Sequence, residues 1–181
     1  VDGNAKGYYK TLQDALNVCT AGETIVLQSD ITIDNSIGVA DGIIIDLNDN
    51  TINLNVENST FGDVTIKNGN IVIGKDDVHV CDGYTQVNAG KTLKLEGVTL
   101  TSSSEGYKGY TIFHLYKGAN LVLNDSTIDV ANNEYVGSIV YADNGEATTT
   151  VNNSSIIGEN IGGAAFVHTT LVFNNSNVEL V

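Results

Sequence analysis

Residues 121–130 read LVLNDSTIDV, and residues 93–102 read LKLEGVTLTS. In both, apolar residues alternate with polar ones, a short polar bend intervenes, and the alternation resumes. Residues 45–54 (IDLNDNTINL), 64–73 (VTIKNGNIVI), 149–158 (TTVNNSSIIG) and 171–180 (LVFNNSNVEL) repeat the plan. A strand places alternate side chains on opposite faces, so each stretch predicts two short strands with apolar residues turned inward, joined at a corner.

Alignment on Leu47, Ile66, Leu95, Leu123, Val151 and Phe173 brings out the repeat. Two residues earlier stand Ile45, Val64, Leu93, Leu121, Thr149 and Leu171, and five later stand Ile52, Ile71, Leu100, Ile128, Ile156 and Val178. Thr149 alone is polar. Two residues after the anchor come Asp49, Asn68, Gly97, Asp125, Asn153 and Asn175, the residue types that tolerate a left-handed backbone. Anchor spacings of 19, 29, 28, 28 and 22 residues join a constant core pattern to variable loops, as a solenoid allows. The segment IVLQSDITI around Leu27 fits as a first coil one residue shorter.

The expected fold is all-β: a right-handed parallel β-helix of about seven coils, spanning 24–181 of a single domain (1–181), behind a capping α-helix at 10–21. Thr11 with Asp14 forms a capping box, Leu12, Ala15, Leu16 and Cys19 share a helical face, and Gly22 ends the segment. That helix would cover the open end of the core. Val178, Leu180 and Val181 finish in mid-coil, so the expectation is that further coils or another chain stack on the C-terminal end. The register of 111–116 stays open: Phe113 and His114 exchange roles if the strand slips by one.

Composition agrees with a turn-rich β protein: 19 glycines and no Pro, Met, Trp or Arg. The formal charge of −14 makes nucleic acid a poor partner, and the eight lysines form no basic run. No apolar stretch is long enough for membrane insertion. With no methionine and a polar opening after Val1, the chain reads as a piece excised from a longer exported precursor.

The segments YKTLQDALNVCTAGETIVLQSDITI and IIIDLNDNTINL resemble the pectate-lyase-like right-handed β-helix superfamily, especially the β-helical regions of large bacterial surface proteins. The resemblance covers nearly the whole chain, and it implies fold far more than function, because that superfamily includes lyases, hydrolases, esterases, tailspikes and inert stalks. It also implies an asparagine ladder along one bend, for which Asn48, Asn124, Asn152 and Asn174 stand ready, interrupted by Lys67 and Glu96. Its enzymes would carry a catalytic arginine, clustered aspartates or a Gly-His-Gly segment. This chain has neither an arginine nor Gly-His-Gly, and no lysine sits in a recognisable constellation, so no catalytic residue is assigned.

Three consecutive coils carry loops after the second strand: GKDDVHVCDGY (74–84), SSSEGYKGY (102–110) and ANNEYVG (131–137). Coils stack at about 4.8 Å, so these loops should form one flank. Its candidate ligand-binding residues are Asp82, Tyr84, Glu105, Tyr107, Lys108, Tyr110, His114, Asn133, Glu134 and Tyr135, with Asp76, Asp77 and Asn132 beside them. Tyrosine faces beside hydrogen-bonding groups suit sugars; the plainer alternative is that the tyrosines cover loop backbone. No metal site and no cofactor are assigned. Asp76, Asp77 and Asp82 offer oxygen ligands for Ca²⁺, yet their spacing matches no known loop.

His79, His114 and His168 read as structural or solvated, with His114 and His168 about 10 Å apart, too far to share a metal directly. Cys19 and Cys81 read as free thiols separated by more than two coils. Outward triplets corresponding to Thr-x-Thr qualify in one coil of six, which argues against ice binding.

The expected function is therefore a non-catalytic β-helix module of an exported bacterial protein, extracellular or at the cell surface, serving as a stalk or as a glycan-binding or adhesive surface. Its expected partners are glycans or host or cell-surface ligands. A polysaccharide lyase or glycoside hydrolase with a cleft beside the loops is the alternative from another class, and a structural spacer is a third.

Overall fold

The computed structural model describes residues 6–74, 85–103, 108–131 and 135–181. The chain winds into a parallel β-helix. Coil 1 holds β1 (Thr24–Val26), β2 (Ile31–Ile33) and β3 (Gly38–Val39); coil 2 holds β4 (Ile44–Asp46), β5 (Thr51–Leu54) and β6 (Ser59–Phe61). In coils 3 and 4 the first two strands run together through the bend, as β7 (Val64–Ile73) with β8 (Thr85–Val87), and β9 (Thr92–Ser102) with β10 (Lys108–Leu115). Coil 5 comprises β11 (Asn120–Asn124), β12 (Thr127–Val130) and β13 (Tyr135–Ala142). Coil 6 comprises β14 (Ala147–Asn152), β15 (Ser155–Gly158) and β16 (Phe166–Val167), and coil 7 comprises β17 (Thr169–Asn174) and β18 (Asn177–Leu180).

A 12-stranded sheet folds across two faces: β1-β4-β7-β9-β11-β14-β17 on one and β2-β5-β7-β9-β12-β15-β18 on the other. A 6-stranded sheet, β3-β6-β8-β10-β13-β16, closes the third face. The core is stacked columns: Ile25–Ile45–Ile66–Leu95–Leu123–Val151–Phe173 on the first face, and Ile31–Ile52–Ile71–Leu100–Ile128–Ile156–Val178 on the second. Each column brings one inward residue per coil, so burial accumulates coil by coil along the axis. Thr149, the polar exception, is fully buried, and its hydroxyl shares a 3.0 Å hydrogen bond with Thr169 Oγ1. The hydroxyl is satisfied, which is what makes its burial tolerable.

All six predicted bend positions adopt positive φ, from 48° at Asp125 and Asn153 to 62° at Asp49 and Gly97. Coil 2 departs from the expected alignment. Ile45, rather than Leu47, pairs with Ile66, while Ile52 still pairs with Ile71. Its bend is therefore two residues longer and holds two left-handed residues, Asn48 (φ 50°) and Asp49 (φ 62°). The longer bend leans over the next coil at Gly69, where a Cβ would lie 2.6 Å from Asn50 O and from Leu47 Cβ. Only glycine fits beneath it.

That shift also corrects the asparagine ladder. Asn174 Nδ2 donates to Asn152 Oδ1 (2.7 Å), and Asn152 Nδ2 donates to Asn124 Oδ1 (2.8 Å). Asn48 is displaced from this row and donates to Leu27 O instead (3.2 Å). The row continues through Glu96 and Lys67 to Asp46, which pairs with Lys67 at 3.3 Å. Burial would raise the Asp46 carboxyl pKa, but hydrogen bonds from Asn68, the Asn48 N–H and Lys67 outweigh it and leave the group below its ordinary value.

The cap is shorter than expected, a helix α1 of Leu12–Leu16 in place of 10–21. Thr11 caps it as predicted, accepting the Asp14 N–H at 3.1 Å. Beyond Leu16 the N–H groups of Val18 and Cys19 both turn to Ala15 O, and the chain leaves the helix at Asn17, a weak helix former. Leu12 and Ala15 are buried, while Leu16 and Cys19 pack partly buried against the core. Leu12, with Ile33, Ile52, Leu54, Phe61 and Phe113, lines an apolar cavity of about 30 Å³. A dry space of that size is a packing void and offers a ligand no room. Cys19 is a free thiol; Cys81 lies outside the described residues.

Candidate functional site

The third face carries the polar chemistry that is not used in bends. On this face Phe113 points into the core, in register with Thr85 and Val140, which settles the open register of 111–116. Its neighbour His114 is turned to the other side. There it stands at the middle of a row Thr60–Gln86–His114–Tyr141–Val167, one residue per coil from coil 2 to coil 6.

Two residues further along the chain in coils 4 and 5 stand Tyr116 and Asp143, and the two rows interlock. His114 stacks on Tyr116 (ring centroids 4.7 Å) and meets the edge of Tyr141 (5.4 Å), whose far side approaches His168 (6.1 Å). His114 Nε2 lies 2.7 Å from Asp143 Oδ1. Tyr116 Oη donates to Gln86 Oε1 (3.3 Å), and Gln86 Nε2 donates to Asn58 Oδ1 (2.6 Å). The strip thus spans five coils as one connected array. His114 and Gln86 are buried and fixed, Tyr116 and Tyr141 are half-buried, and Asp143 and His168 are exposed.

His168 holds φ 54° at the corner between β16 and β17, its Nδ1 3.3 Å from Ala142 O. Glycine takes the left-handed position at the equivalent corner of coils 1, 3 and 4, at Gly42, Gly90 and Gly118. A histidine there presents a ring where those coils have no side chain. The same corner is held by charge over the first three coils. Lys91 Nζ donates to Asp41 Oδ2 (2.5 Å) and Asp63 Oδ2 (3.3 Å), tying the corners that follow coils 1, 2 and 3. Those bonds from Lys91, with the Asp63 N–H, hold the Asp41 carboxyl below its ordinary pKa, while Asp41 and then Asp63 raise that of Lys91.

Of the residues the sequence put forward, His114 belongs to this strip. Tyr135 does not: its ring comes close to Gly162 of the next coil, where an added Cβ would lie 2.0 Å from it. Lys108 and Tyr110 lie in the backbone of β10, and Lys108 pairs in register with Tyr135, so the strands that leave the second and third loops run side by side. Asp82, Tyr84, Glu105, Tyr107, Asn133 and Glu134 lie outside the described residues, as do Asp76, Asp77, His79 and Asn132.

Gln86, Tyr141, Asp143 and Asn58 were not singled out from the sequence. Aligning third strands on the TIFHLY and SIVYAD segments would have found Tyr141 beside His114 and Asp143 beside Tyr116.

Chemically the strip offers half-buried aromatic faces and an exposed carboxylate, set beside the buried, anchored amide of Gln86. A histidine–carboxylate pair is one element of acid–base catalysis, but glycoside hydrolysis generally needs two carboxyl groups flanking the bond, and within the strip Asp143 stands alone. Among the described residues no group of three or more His, Cys, Asp or Glu side chains could hold a metal ion, and no helix is long and apolar enough to cross a membrane. Compared with protein-family models, curated proteins and solved structures, the chain matches none of them.

Proposed function

We propose that this chain is a non-catalytic module of an exported bacterial surface protein, of the pectate-lyase-like β-helix type, that binds a neutral glycan along the outer strip of its third face. The observation that carries the reading is the connected array Asn58–Gln86–Tyr116–His114–Tyr141–His168. It sets half-buried aromatic rings beside fixed hydrogen-bonding groups over five successive coils. Sugars are recognised by that combination: C–H faces stack on aromatic rings while hydroxyls bond to amides and carboxylates. The formal charge of −14 disfavours acidic polysaccharides, which points to neutral glycans. A stacked-coil sheet also suits a repeating ligand, since the protein repeats at about 4.8 Å along the row.

The test is a glycan-array screen of the protein with and without Ca²⁺, repeated with Tyr116→Ala, Tyr141→Ala and, on the loop flank, Tyr107→Ala. Binding lost in the first two variants supports the strip. Binding lost only in Tyr107→Ala moves the site to the loops, and no binding favours the spacer. Release of reducing ends or unsaturated products from a bound glycan would establish the lyase or hydrolase alternative.

A further inference from the structure

The chain has two Asn-Gly dipeptides, Asn68–Gly69 and Asn144–Gly145, and the fold holds them differently. Asparagine before glycine is the pairing most open to self-attack: the glycine nitrogen can reach the asparagine side-chain carbonyl carbon, and no Cβ stands in the way. Whether it does so depends on what restrains the two groups.

Asn68–Gly69 is restrained by its neighbours. Gly69 lies inside β7 and pairs in register with Val98, while the coil 2 bend sits over it, so close that a Cβ would lie 2.6 Å from Asn50 O. Asn68 Nδ2 donates to Asp46 Oδ1 (3.1 Å), and its backbone carbonyl accepts the Asp49 N–H (2.8 Å).

Asn144–Gly145 stands at the corner between β13 and β14. Leu115 pairs with Ala142 and Asn120 with Thr148, so five residues (143–147) turn this corner where four (116–119) turn the one before it. Gly145 is exposed, a Cβ built on it would meet nothing within 4 Å, and among the described residues none accepts its N–H. The Glu146 N–H donates to Asn144 Oδ1 (3.3 Å), the oxygen that becomes negative when the side-chain carbonyl is attacked. Asp143 and Glu146 oppose an amide anion here, and Lys117 Nζ, 3.6 Å from Glu146 Oε2, offsets them in part.

We propose that Asn144 is a self-modifying site that deamidates through a cyclic imide in the folded protein. The Gly145 nitrogen gives up its proton to a base in solution and bonds to Asn144 Cγ; the Cγ–Nδ2 bond breaks, and Nδ2 leaves as ammonia. Water then opens the imide at either carbonyl, giving aspartate or isoaspartate, so the net change is amide plus water to carboxylic acid plus ammonia. The added carboxylate follows Asp143, whose Oδ1 lies 2.7 Å from His114 Nε2, so the reaction places a further negative charge at the edge of the strip as the protein ages.

The test incubates the whole chain in warm, mildly alkaline buffer and digests it after glutamate under acidic conditions that halt the reaction. Segment 135–146 has Asn144 as its one asparagine, so its mass gain, and its separation into aspartyl and isoaspartyl forms on chromatography, reads that residue; fragmentation of segment 58–96 reads Asn68. Asn68 reacts only when its strand opens, so Asn144 should deamidate more than about tenfold faster in the folded chain, and the two rates should converge in urea. Gly145→Ala should slow the reaction at Asn144 several-fold without moving the urea midpoint. An intact Asn144, equal rates at the two sites in the folded chain, rates that stay apart in urea, or a Gly145→Ala protein that deamidates as fast as the wild type would overturn the proposal.

Discussion

Replacing Ser154 by alanine removes a rung that the structure uses twice. Its buried hydroxyl accepts the Ser126 N–H at 3.0 Å and donates to Asn152 O at 2.7 Å. Alanine adds no bulk and leaves the strands free to stack, so the cost falls on the deserted Ser126 N–H, which has no water to turn to. A buried donor left unsatisfied costs about 1–3 kcal/mol, and we expect about 2 kcal/mol here. For a domain of this size each kcal/mol moves Tm by about 2–4 °C, so calorimetry should show a fall of about 4–8 °C. Ser36→Ala, at an exposed position outside the ladder, should leave Tm within about 1 °C. A Ser154→Ala protein melting with the wild type, or no lower than Ser36→Ala, would refute the claim that these serine bonds between coils stabilise the fold.

Other expectations follow from particular contacts. Gly162→Ala drives a Cβ into the Tyr135 ring and should cost about 1–3 kcal/mol in urea unfolding. In Gly162→Ala/Tyr135→Ala most of that cost should vanish, and strictly additive losses would contradict the contact. The corner at Lys91 should make stability fall at both pH extremes. The lowered Asp41 pKa contributes stability above the ordinary carboxylate value of 3.8, lost as pH drops through the folded value. The raised Lys91 pKa contributes below 10.5, lost as pH climbs through its folded value. Lys91→Gln should flatten both limbs of a plot of urea midpoint against pH; an unchanged profile would remove the corner from the account. Leu95→Ala, deep in the first column, should cost about 2–5 kcal/mol by the same assay.

The first two faces were legible in the sequence because their rule is local: alternate apolar residues, and a residue tolerant of positive φ at a fixed offset. Asp49, Asn68, Gly97, Asp125, Asn153 and Asn175 all obey it. Coil 2 was misaligned because Ile43, Ile45 and Leu47 offer three equivalent apolar anchors, and only pairing with the next strand selects Ile45. Helix length was overstated because the apolar face continues to Cys19, whereas after Leu16 the chain turns out of the helix with the Val18 and Cys19 N–H groups both on Ala15 O.

The third face was the least legible. Variable loops detach it from the anchors, and in β10 the run from Thr111 to Leu115 is buried throughout, so no alternation marks inside from outside. His114 therefore stood out as a residue type without its neighbours. Asp143 and Tyr141 reach it only through parallel pairing of coils 29 and 27 residues apart in sequence. The serine ladder was visible in the strings NDS, NNS and NNS, but its hydrogen-bond direction is a property of stacking.

The most direct test of the glycan-binding strip is histidine NMR. The chain has three histidines, two of them in the strip, so imidazole resonances assigned with His114→Gln and His168→Gln can be followed while a glycan selected on the array is titrated in. Saturable shifts of both His114 and His168, lost in Tyr141→Ala, are the predicted result. A glycan that binds while both resonances stay fixed would contradict the site.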